Sequence, residues 1–421
     1  MEGICAGSDV DRISDLPGNV IAYILACLPL EDAVRTGILS QKWKEQWYKV
    51  PRIIVDESIF HERYKAEMEG IISYILTQHE GNLKKFSAYV DQVKDHHSMK
   101  LWIFRLSQKS IQEFTILIQK GRCHEVPSDL FSLQQLRELN LRHLKVQLPH
   151  SFKGFHNLVF LRLVKVDITP SAFNKLIASC LHLEELVLQK LNCIGHLHIN
   201  LPSLKNFSFN GEFKSISFQT PLLEVLSINL FWIGSENNPF DLRFKFRGLP
   251  SAIKELYVRC QFQKFLAAGD TFTQVSTSYK HLKTLELRKF CFEKLDDISC
   301  FISLMESSLN LEIIDITACD CENGAESEAV LKFWEDRKNS SLSFKRLQKA
   351  TVRSFRGKDH EVKFIEFLLA NSHVLRDMTV ECMDNPDFDE DEIKAVRLWF
   401  CQGSSKLKFI GDNYDSSSDE S

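Results

Sequence analysis

The chain has 421 residues, of which 44% are hydrophobic and 26% are charged, and this composition is ordinary for a soluble globular protein. Lys plus Arg number 52 and Asp plus Glu number 56, so the net charge of −4 argues against the basic face that nucleic-acid binding requires. No apolar run approaches the roughly 18 residues that span a bilayer. The N-terminus MEGICAGSDVDR is acidic and lacks an apolar stretch, so no signal peptide is expected, and the predicted location is cytoplasmic and/or nuclear.

Residues 11–50 have the spacing of three short amphipathic helices, after a small acidic N-terminus that is predicted to be disordered. Pro17 opens the first helix, Pro29 ends it, and Ser40 is a good N-cap for the third helix. The apolar positions are Leu16, Val20, Ile21, Ile24, Leu25, Leu28, Leu30, Ala33, Val34, Ile38, Trp43 and Trp47. A unit of fewer than about 40 residues rarely buries so much apolar surface alone. The surplus is therefore predicted to pack against the rest of the chain or against a partner.

This segment resembles an F-box, the helical module that docks on the Skp-family adaptor of a cullin-RING ubiquitin ligase. The resemblance rests on the motifs DRIS-DLP, ILxxLP, AVRT and ILS and on the two tryptophans; Gln41 departs from the Lys that plant F-boxes usually carry. The resemblance implies that the adaptor is contacted by Leu16, Pro17, Val20, Ile24, Leu25, Leu28, Pro29, Leu30, Val34, Ile38, Ser40, Trp43 and Trp47.

Residues 51–60 predict a short strand, and residues 61–79 predict one linking helix that seats the F-box on the next part of the chain. An L-x-x-L-x-L unit then recurs, with weaker copies at Leu83 and Ile111. The clear copies start at Leu136, Leu158, Leu183, Leu204, Leu223, Ile253, Leu282 and Leu311, at spacings of 22, 25, 21, 19, 30, 29 and 29 residues. Such periods predict a leucine-rich-repeat solenoid in which each unit supplies one parallel strand and a return segment.

The ninth position of the repeat, where Asn or Cys is usual, holds Leu144, Val166, Leu191, Phe290 or Cys319. Irregular repeats with different return segments are therefore expected. The repeats resemble the plant F-box subgroup, most clearly over residues 148–163.

Beyond residue 340 the pattern predicts a strand through Leu347 and Val352, a helix over 361–370 and a strand from Leu375 to Val380. This order resembles the FBD domain that closes many plant F-box and leucine-rich-repeat proteins. An acidic run at 387–392 leads into a predicted helix over 393–400.

The predicted fold is α/β: a three-helix F-box, an irregular leucine-rich-repeat solenoid of parallel strands plus helices, and an FBD-type cap. The predicted domains are a disordered N-terminus (1–10), the F-box (11–50), a linker helix with leucine-rich repeats (51–340), the FBD domain (341–411) and a disordered acidic tail (412–421).

No catalytic or metal-binding motif emerges from the sequence. The G-x-S-x-G, P-loop, G-x-G-x-x-G and H-E-x-x-H patterns are all missing. Cys319 and Cys321 fall on core positions of a repeat, and the pair His196 and His198 has no further ligands at zinc-finger spacing. The run from Asp387 lacks the Gly and Glu of a calcium loop. A non-catalytic protein with no cofactor and no metal is therefore predicted.

The residues between the apolar positions of each strand face the concave wall of a solenoid, because strand side chains alternate. Aromatic and Arg side chains there suit protein recognition. The candidate target-binding residues are Phe160, Arg162, Asn206, Tyr257, Arg259 and Arg288.

The resemblance implies a substrate-recognition subunit of a Skp–cullin–F-box (SCF) ubiquitin ligase, which brings an unknown target protein to the ubiquitination machinery. The alternative is a non-proteolytic interaction scaffold that uses the same repeats. The sequence leaves open the identity of the target and its degron, a small-molecule pocket in the solenoid, and phosphorylation of Ser416 and Ser417.

Overall fold

The computed structural model describes residues 13, 15–28, 30–38, 40–60, 62–65, 67–191, 196–212, 215–230, 245–246, 250–259, 279–319, 327–337, 343–383 and 407–410. The chain divides into two compact units, residues 1–193 and residues 194–421, and each unit is described by itself.

Among the described residues, three helices precede the first strand, and the other helices lie between strands. They are α1 (Gly18–Cys27), α2 (Leu30–Arg35), α3 (Gln41–Gln46), α4 (Glu62–Lys65), α5 (Met68–Gln78), α6 (His96–Ser107), α7 (Pro170–Ala178), α8 (Leu295–Ser307), α9 (Ser327–Arg337) and α10 (Asp359–Asn371). Short 3₁₀ turns cover Thr36–Ile38, Trp47–Lys49 and Ser128–Ser132.

The strands are short, as expected for repeats of about 20 to 30 residues. They are β1 (Arg52–Asp56), β2 (Lys85–Val90), β3 (Glu113–Ile118), β4 (His124–Glu125), β5 (Glu138–Arg142), β6 (Leu144–Val146), β7 (Phe160–Val164), β8 (Asp167–Ile168), β9 (Glu185–Gln189), β10 (His196–Asn200), β11 (Asn206–Gly211), β12 (Ser215–Gln219), β13 (Val225–Leu230), β14 (Lys245–Phe246), β15 (Glu255–Arg259), β16 (Thr284–Phe290), β17 (Ile313–Ala318), β18 (Lys349–Phe355), β19 (Asp377–Cys382) and β20 (Leu407–Ile410).

The main sheet of the first unit runs in the order β1-β2-β3-β5-β7-β9, and its neighbouring strands are parallel. The repeat leucines stand in register, so Leu139 pairs with Leu161 and Leu161 with Leu186, and all three are buried. The weak copies at Leu83 and Ile111 give β2 and β3, which confirms them as repeats. Even β1 belongs to this sheet, so the stacked strands begin directly after the helices of residues 18–49.

The return segments differ from repeat to repeat, which confirms the expected irregularity. Helices α5 and α6 lie in the return segments after β1 and β2, strands β4 and β6 lie in those after β3 and β5, and the segment after β7 contains both β8 and α7. The eighth residue of five repeats is left-handed without being glycine, for example Lys165 with φ 51° and Ser354 with φ 55°. The turn is followed by a buried apolar ninth residue, such as Val166 or Phe355, in place of the usual asparagine.

The main sheet of the second unit runs β11-β13-β15-β16-β17-β18-β19-β20. The strands predicted for the FBD-like segment, β18 and β19, keep the register of the repeats, since Ile314 pairs with Ala350 and Ala350 with Met378. Strand β20, which the sequence pattern does not predict, adds a further parallel neighbour. The FBD-like segment therefore continues the repeat sheet instead of forming a separate fold.

An aromatic cluster joins the helices behind the second sheet. Phe364 of α10 lies 5.5 Å from Phe301 of α8 and 5.9 Å from Trp334 of α9, measured between ring centroids. Phe292 lies 4.9 Å from the same ring. Burial of such rings stabilises a core strongly, so this cluster ties the FBD-like helix to the preceding repeats.

Two predictions need correction. The linking helix over 61–79 consists of two helices, α4 and α5, with Glu67 in a turn before α5. Cys319 is disulfide-bonded, whereas the repeat pattern predicts only a core position for it. The predictions for residues 1–10, Pro29, Cys321, 387–400 and 412–421 lie outside the described residues.

Candidate functional site

Helix α1 divides its apolar side chains between two sides. Ile21 and Leu25 are buried, with 0% and 2% of their surface exposed. Val20 and Leu28 remain 37% exposed, and Tyr23 is 74% exposed. The chain itself therefore buries only part of the predicted apolar stripe, and the rest stays exposed to solvent.

Two more exposed isoleucines lie near α1 in the chain. Ile13 is 56% exposed before the helix, and Ile38 is 89% exposed at the end of the 3₁₀ turn after α2. We call Ile13, Val20, Tyr23, Leu28 and Ile38 the helical patch. Several large apolar side chains exposed within one short segment favour a protein–protein contact there. The predicted adaptor contacts include Val20, Leu28 and Ile38 but miss the other two, because they fall outside the helical stripe.

Three of the predicted adaptor contacts are buried within the chain. Leu25, Trp43 and Trp47 are 2%, 3% and 5% exposed. Trp43 Nε1 donates a hydrogen bond to the Ile13 carbonyl at 3.3 Å, and the Ser40 hydroxyl accepts from Trp43 N at 3.4 Å. The buried side chains hold the three helices together and offer little surface, so their predicted contact with the adaptor stays a prediction.

The remaining predicted adaptor contacts are mixed. Leu16, Ile24 and Ser40 are half-buried and Pro17 is exposed. The side chains of Leu30 and Val34, together with Pro29, lie outside the described part of the chain.

The end of the three-helix segment is clamped to the first repeat. The backbone N–H groups of Glu80 and Gly81 both donate to the Tyr48 carbonyl, at 2.9 and 3.2 Å. The buried His79 ring donates from Nε2 to the Val50 carbonyl at 2.8 Å, and burial lowers the pKa of this imidazole. A Cβ on Gly81 would lie 2.7 Å from Lys49 Cα, so only glycine permits this close approach. The helices and the first strands therefore form one connected body within the first unit.

The second candidate surface is the open face of each main sheet, formed by the residues between the buried apolar positions of the strands. In the first unit, an outer row pairs Glu113 with Glu138, Glu138 with Phe160 and Phe160 with Glu185. Glu113 forms an ion pair with Lys85 of β2. This row is thus mainly acidic, with one aromatic ring.

Two arginines lie further along the same strands. Arg162 pairs in register with Asn140 and Val187, while Arg142 pairs with Leu117 and Val164. Both arginines are half-buried, and their Nε atoms are buried without a hydrogen-bond acceptor. The Asn140 Oδ1 atom is likewise buried without a donor. We call Asn140, Arg142 and Arg162 the arginine cluster.

The open face of the second unit uses its arginines differently. Arg353 forks between Asp315 and Glu381, at 3.0 Å from Asp315 Oδ2 and 2.6 Å from Glu381 Oε2. These hydrogen bonds raise the pKa of Arg353, chiefly through Asp315. Arg288 donates to Glu286 Oε1 at 2.6 Å and to Thr317 Oγ1 at 3.1 Å. Both side chains are therefore occupied within the chain.

The predicted target-binding residues fall into separate groups. Phe160 and Arg162 share β7, whereas Tyr257, Arg259 and Arg288 share the adjacent strands β15 and β16. Asn206 stands apart at the start of β11. Tyr257 donates to Glu255 Oε2 at 2.6 Å, and burial together with this carboxylate raises the tyrosine pKa to about 12. Of the six, Arg259 and Asn206 are exposed and the other four are half-buried.

A shallow polar cleft of about 380 Å³ lies in the first unit, and its lining includes Gln112, Arg137, Asn157 and His182.

Among the described residues, no three His, Cys, Asp or Glu side chains are grouped so that they could hold a metal ion. His198, of the pair His196 and His198, bonds to Ser217 at 2.7 Å. No helix in the described part of the chain is long and apolar enough to cross a membrane.

Comparison with known proteins identifies three regions. A family model of the F-box domain matches residues 13–54, and a model of the FBD matches residues 345–380. Between them, residues 99–316 match a model described as FBD-associated F-box protein At5g56370, LRR repeats.

Similar proteins occur in Arabidopsis thaliana. F-box/FBD/LRR-repeat protein At1g13570 is 30% identical over 419 residues, which cover 96% of this chain and all of that protein. F-box/LRR-repeat protein 13 is 24% identical, over 93% of this chain and 94% of its own length. FBD-associated F-box protein At1g61320 is 23% identical, over 91% of both chains.

Proposed function

Because this chain belongs to the plant family of F-box/FBD/LRR-repeat proteins, we propose that it is the substrate-recognition subunit of an SCF ubiquitin ligase. The helical patch docks on a Skp-family adaptor, and the open face of the repeats holds a target protein. The observation that carries this proposal is the helical patch itself. Five large apolar side chains between residues 13 and 38 stay exposed on a segment that matches the F-box.

Burial of the helical patch by a partner would be favourable. Full burial of one Val, Leu or Ile side chain contributes about 1.5–3 kcal/mol. Ile38 offers the most, since 89% of its surface is exposed, and Tyr23 adds an aromatic ring of the kind that is enriched among interface anchors. Trp43 and Trp47 are buried in α3 and in the turn that follows it, and both of these elements contact α1.

Such a receptor needs no catalytic residue of its own. It accelerates ubiquitin transfer by holding the target near the conjugating enzyme, which is an effective-concentration effect. The clamp between Tyr48 and Gly81 suits this role, because a rigid connection from the F-box to the first repeat preserves the orientation of a bound target.

The test is a binding titration of the full chain with a purified plant Skp-family adaptor. Ile38→Asp places a charge at the most exposed apolar position and is expected to weaken binding by at least about 2 kcal/mol, or roughly thirtyfold. Leu101→Asp is the matched control, since Leu101 is also apolar and 40% exposed, but lies on α6.

Equal adaptor affinity for the wild-type, I38D and L101D chains would exclude the helical patch as the docking surface. Absence of measurable adaptor binding by the wild-type chain would instead favour the interaction scaffold.

A further inference from the structure

The arginine cluster of the first unit combines positive charge with unmet hydrogen-bonding capacity. An ion pair within the chain would normally satisfy half-buried guanidinium groups, yet no such pair is found for Arg142 or Arg162 among the described residues. Their buried Nε atoms have no acceptor. A buried donor without a partner costs about 1–3 kcal/mol, so the folded chain maintains a cluster that is unfavourable in isolation.

The neighbours of Arg142 explain why its side chain stays unpaired. In register, Arg142 faces Leu117 on one side and Val164 on the other, and neither side chain can accept a hydrogen bond. Val164 is only 8% exposed although it lies on the open face. The apolar surroundings lower the local dielectric and strengthen any charge-assisted bond that an incoming anion makes there.

The two arginines also lie close enough to act together. They occupy adjacent strands, β5 and β7, and are offset by one position along the open face. Neighbouring strands are about 4.8 Å apart and alternate residues about 6.6 Å apart, so long side chains from these positions can reach one ligand. Guanidinium groups bind carboxylate and phosphate oxygens in a bidentate manner.

The acidic row, formed by Glu113, Glu138 and Glu185, favours one orientation of a bound peptide along the strands. Glu138 and Glu185 lie on the same open face, two residues before Asn140 and Val187 on their strands. An extended peptide also places alternate side chains about 6.6 Å apart. A peptide along the strands can therefore set an acidic side chain against the arginines and a basic side chain against the glutamates.

We propose that the arginine cluster binds an extended segment of the target protein through a carboxylate or phosphate group, with a basic residue two positions away meeting the acidic row. This deepens the proposed function, on which it rests, by naming the chemistry of the recognised segment. The anion is supplied by Asp, Glu or a phosphorylated side chain, and Arg142 joins Arg162 as a binding residue.

The experiment is a selection of random twelve-residue peptides displayed on phage against the immobilised full chain. Enriched peptides are then synthesised in three forms: with the acidic residue retained, with it replaced by Gln or Asn, and with phosphoserine in its place. Inorganic phosphate is titrated separately. The protein variants are R142Q/R162Q and the control K94Q/K100Q, which removes two charges from exposed positions of the same unit.

We expect the enriched peptides to share an acidic residue with a basic residue two positions away. Neutralising the acid, or using R142Q/R162Q, should each weaken binding at least tenfold, and the combined change should be less than additive because the partners contact each other. K94Q/K100Q should bind as the wild type does. If the phosphoserine form binds more tightly than the Asp or Glu form, phosphate is the preferred anion; if it binds more weakly, carboxylate is. Either result supports the site.

Three results would overturn the inference: enrichment without an acidic residue, acidic peptides that bind R142Q/R162Q unchanged, or affinity for inorganic phosphate alone. Thermal unfolding of R142Q/R162Q separates a folding defect from a binding defect, and we expect its melting temperature not to fall. Adaptor binding is measured on the same preparations. If the wild-type chain binds the adaptor but the selection enriches no acidic peptide, only this peptide site is refuted. If the wild-type chain does not bind the adaptor, the proposed function is refuted.

Discussion

The open faces of the two units are built alike and use their arginines in opposite ways. In the first unit, Arg142 stands between Leu117 and Val164 and has no partner among the described residues. In the second, Arg353 is bound by Asp315 and Glu381. The same strand geometry therefore carries arginines without a bound acceptor in the first unit and an arginine held by two carboxylates in the second. The first surface is suited to a ligand and the second to holding strands together.

The second unit also buries charge inside. Glu361 of α10 is 3% exposed and accepts a hydrogen bond from Arg356 N at 2.8 Å. Burial raises the pKa of this carboxyl to about 7 despite the hydrogen bonds that oppose the shift. Nearby, Glu293 is bound by Lys358 at 2.6 Å and lies 3.6 Å from the His360 ring. The FBD-like segment thus ties itself to the preceding repeat through buried polar groups.

The largest change in the free energy of unfolding is expected from Glu361→Gln in the second unit. Because the pKa of Glu361 is higher in the folded chain than in the unfolded chain, the folded state binds this proton more tightly. The resulting contribution to the free energy of unfolding is fully present below pH 4.5 and is lost as the pH rises through about 7. At pH 8 the variant should be more stable than the wild type by up to about 3 kcal/mol, and near pH 4.5 the two should agree. Denaturant unfolding across this pH range measures the difference.

The control is Glu366→Gln on the same helix, where the carboxylate pairs with Lys363 and is partly exposed. The pKa of His360 is lowered by burial, but this residue is present in all three chains and its contribution cancels in the comparison. A stability difference between E361Q and wild type that does not change with pH would show that Glu361 is not buried as described.

A smaller effect is expected from removing the paired arginine. Arg353→Leu leaves two carboxylates close together without their cation and should lower the free energy of unfolding by about 1–2 kcal/mol. The expected loss is modest because the Arg353 side chain is 34% exposed and its ion pairs are partly screened. Chemical denaturation at low and high salt measures this loss, which should shrink as salt is added.

The smallest effect is expected from the matched change Arg162→Leu in the first unit. It removes a buried donor that has no acceptor, so the free energy of unfolding should fall by no more than about 0.5 kcal/mol and can rise. A loss as large as that of R353L would mean that Arg162 stabilises the fold, and the contrast between the two open faces would disappear.

Much of the architecture can be predicted from the spacing of apolar residues. The L-x-x-L-x-L units predict the strands because buried and open positions alternate, and Leu139 and Leu161 stand in the expected register. Strand β1 lacks the full pattern and is predicted only as an isolated strand. The FBD-like strands are predicted as a cap, but the sequence does not reveal that they keep the repeat register up to Met378 and Leu407.

The functional surfaces are only partly predictable. A motif marks the F-box, yet it does not say which apolar side chains turn inward, so Trp43 and Ile38 look equivalent in the sequence although one is buried and the other exposed. Tyr23 lies outside the stripe and is missed. Arg142 and Arg288 also occupy equivalent positions of the repeat, yet Arg288 is bound by Glu286 of its own strand and by Thr317 of the next, whereas the Arg142 Nε atom has no acceptor.

The most direct test of the central claim is a pulldown from plant extract with the tagged full chain, beside the I38D and L101D variants, with quantitative mass spectrometry of the bound proteins. We predict that the adaptor and a cullin copurify with the wild type and L101D but are strongly depleted with I38D, while proteins held by the repeats remain in all three. If adaptor and cullin are absent from the wild type, the ligase assignment fails; if they are equally abundant with I38D, the helical patch is not the docking surface.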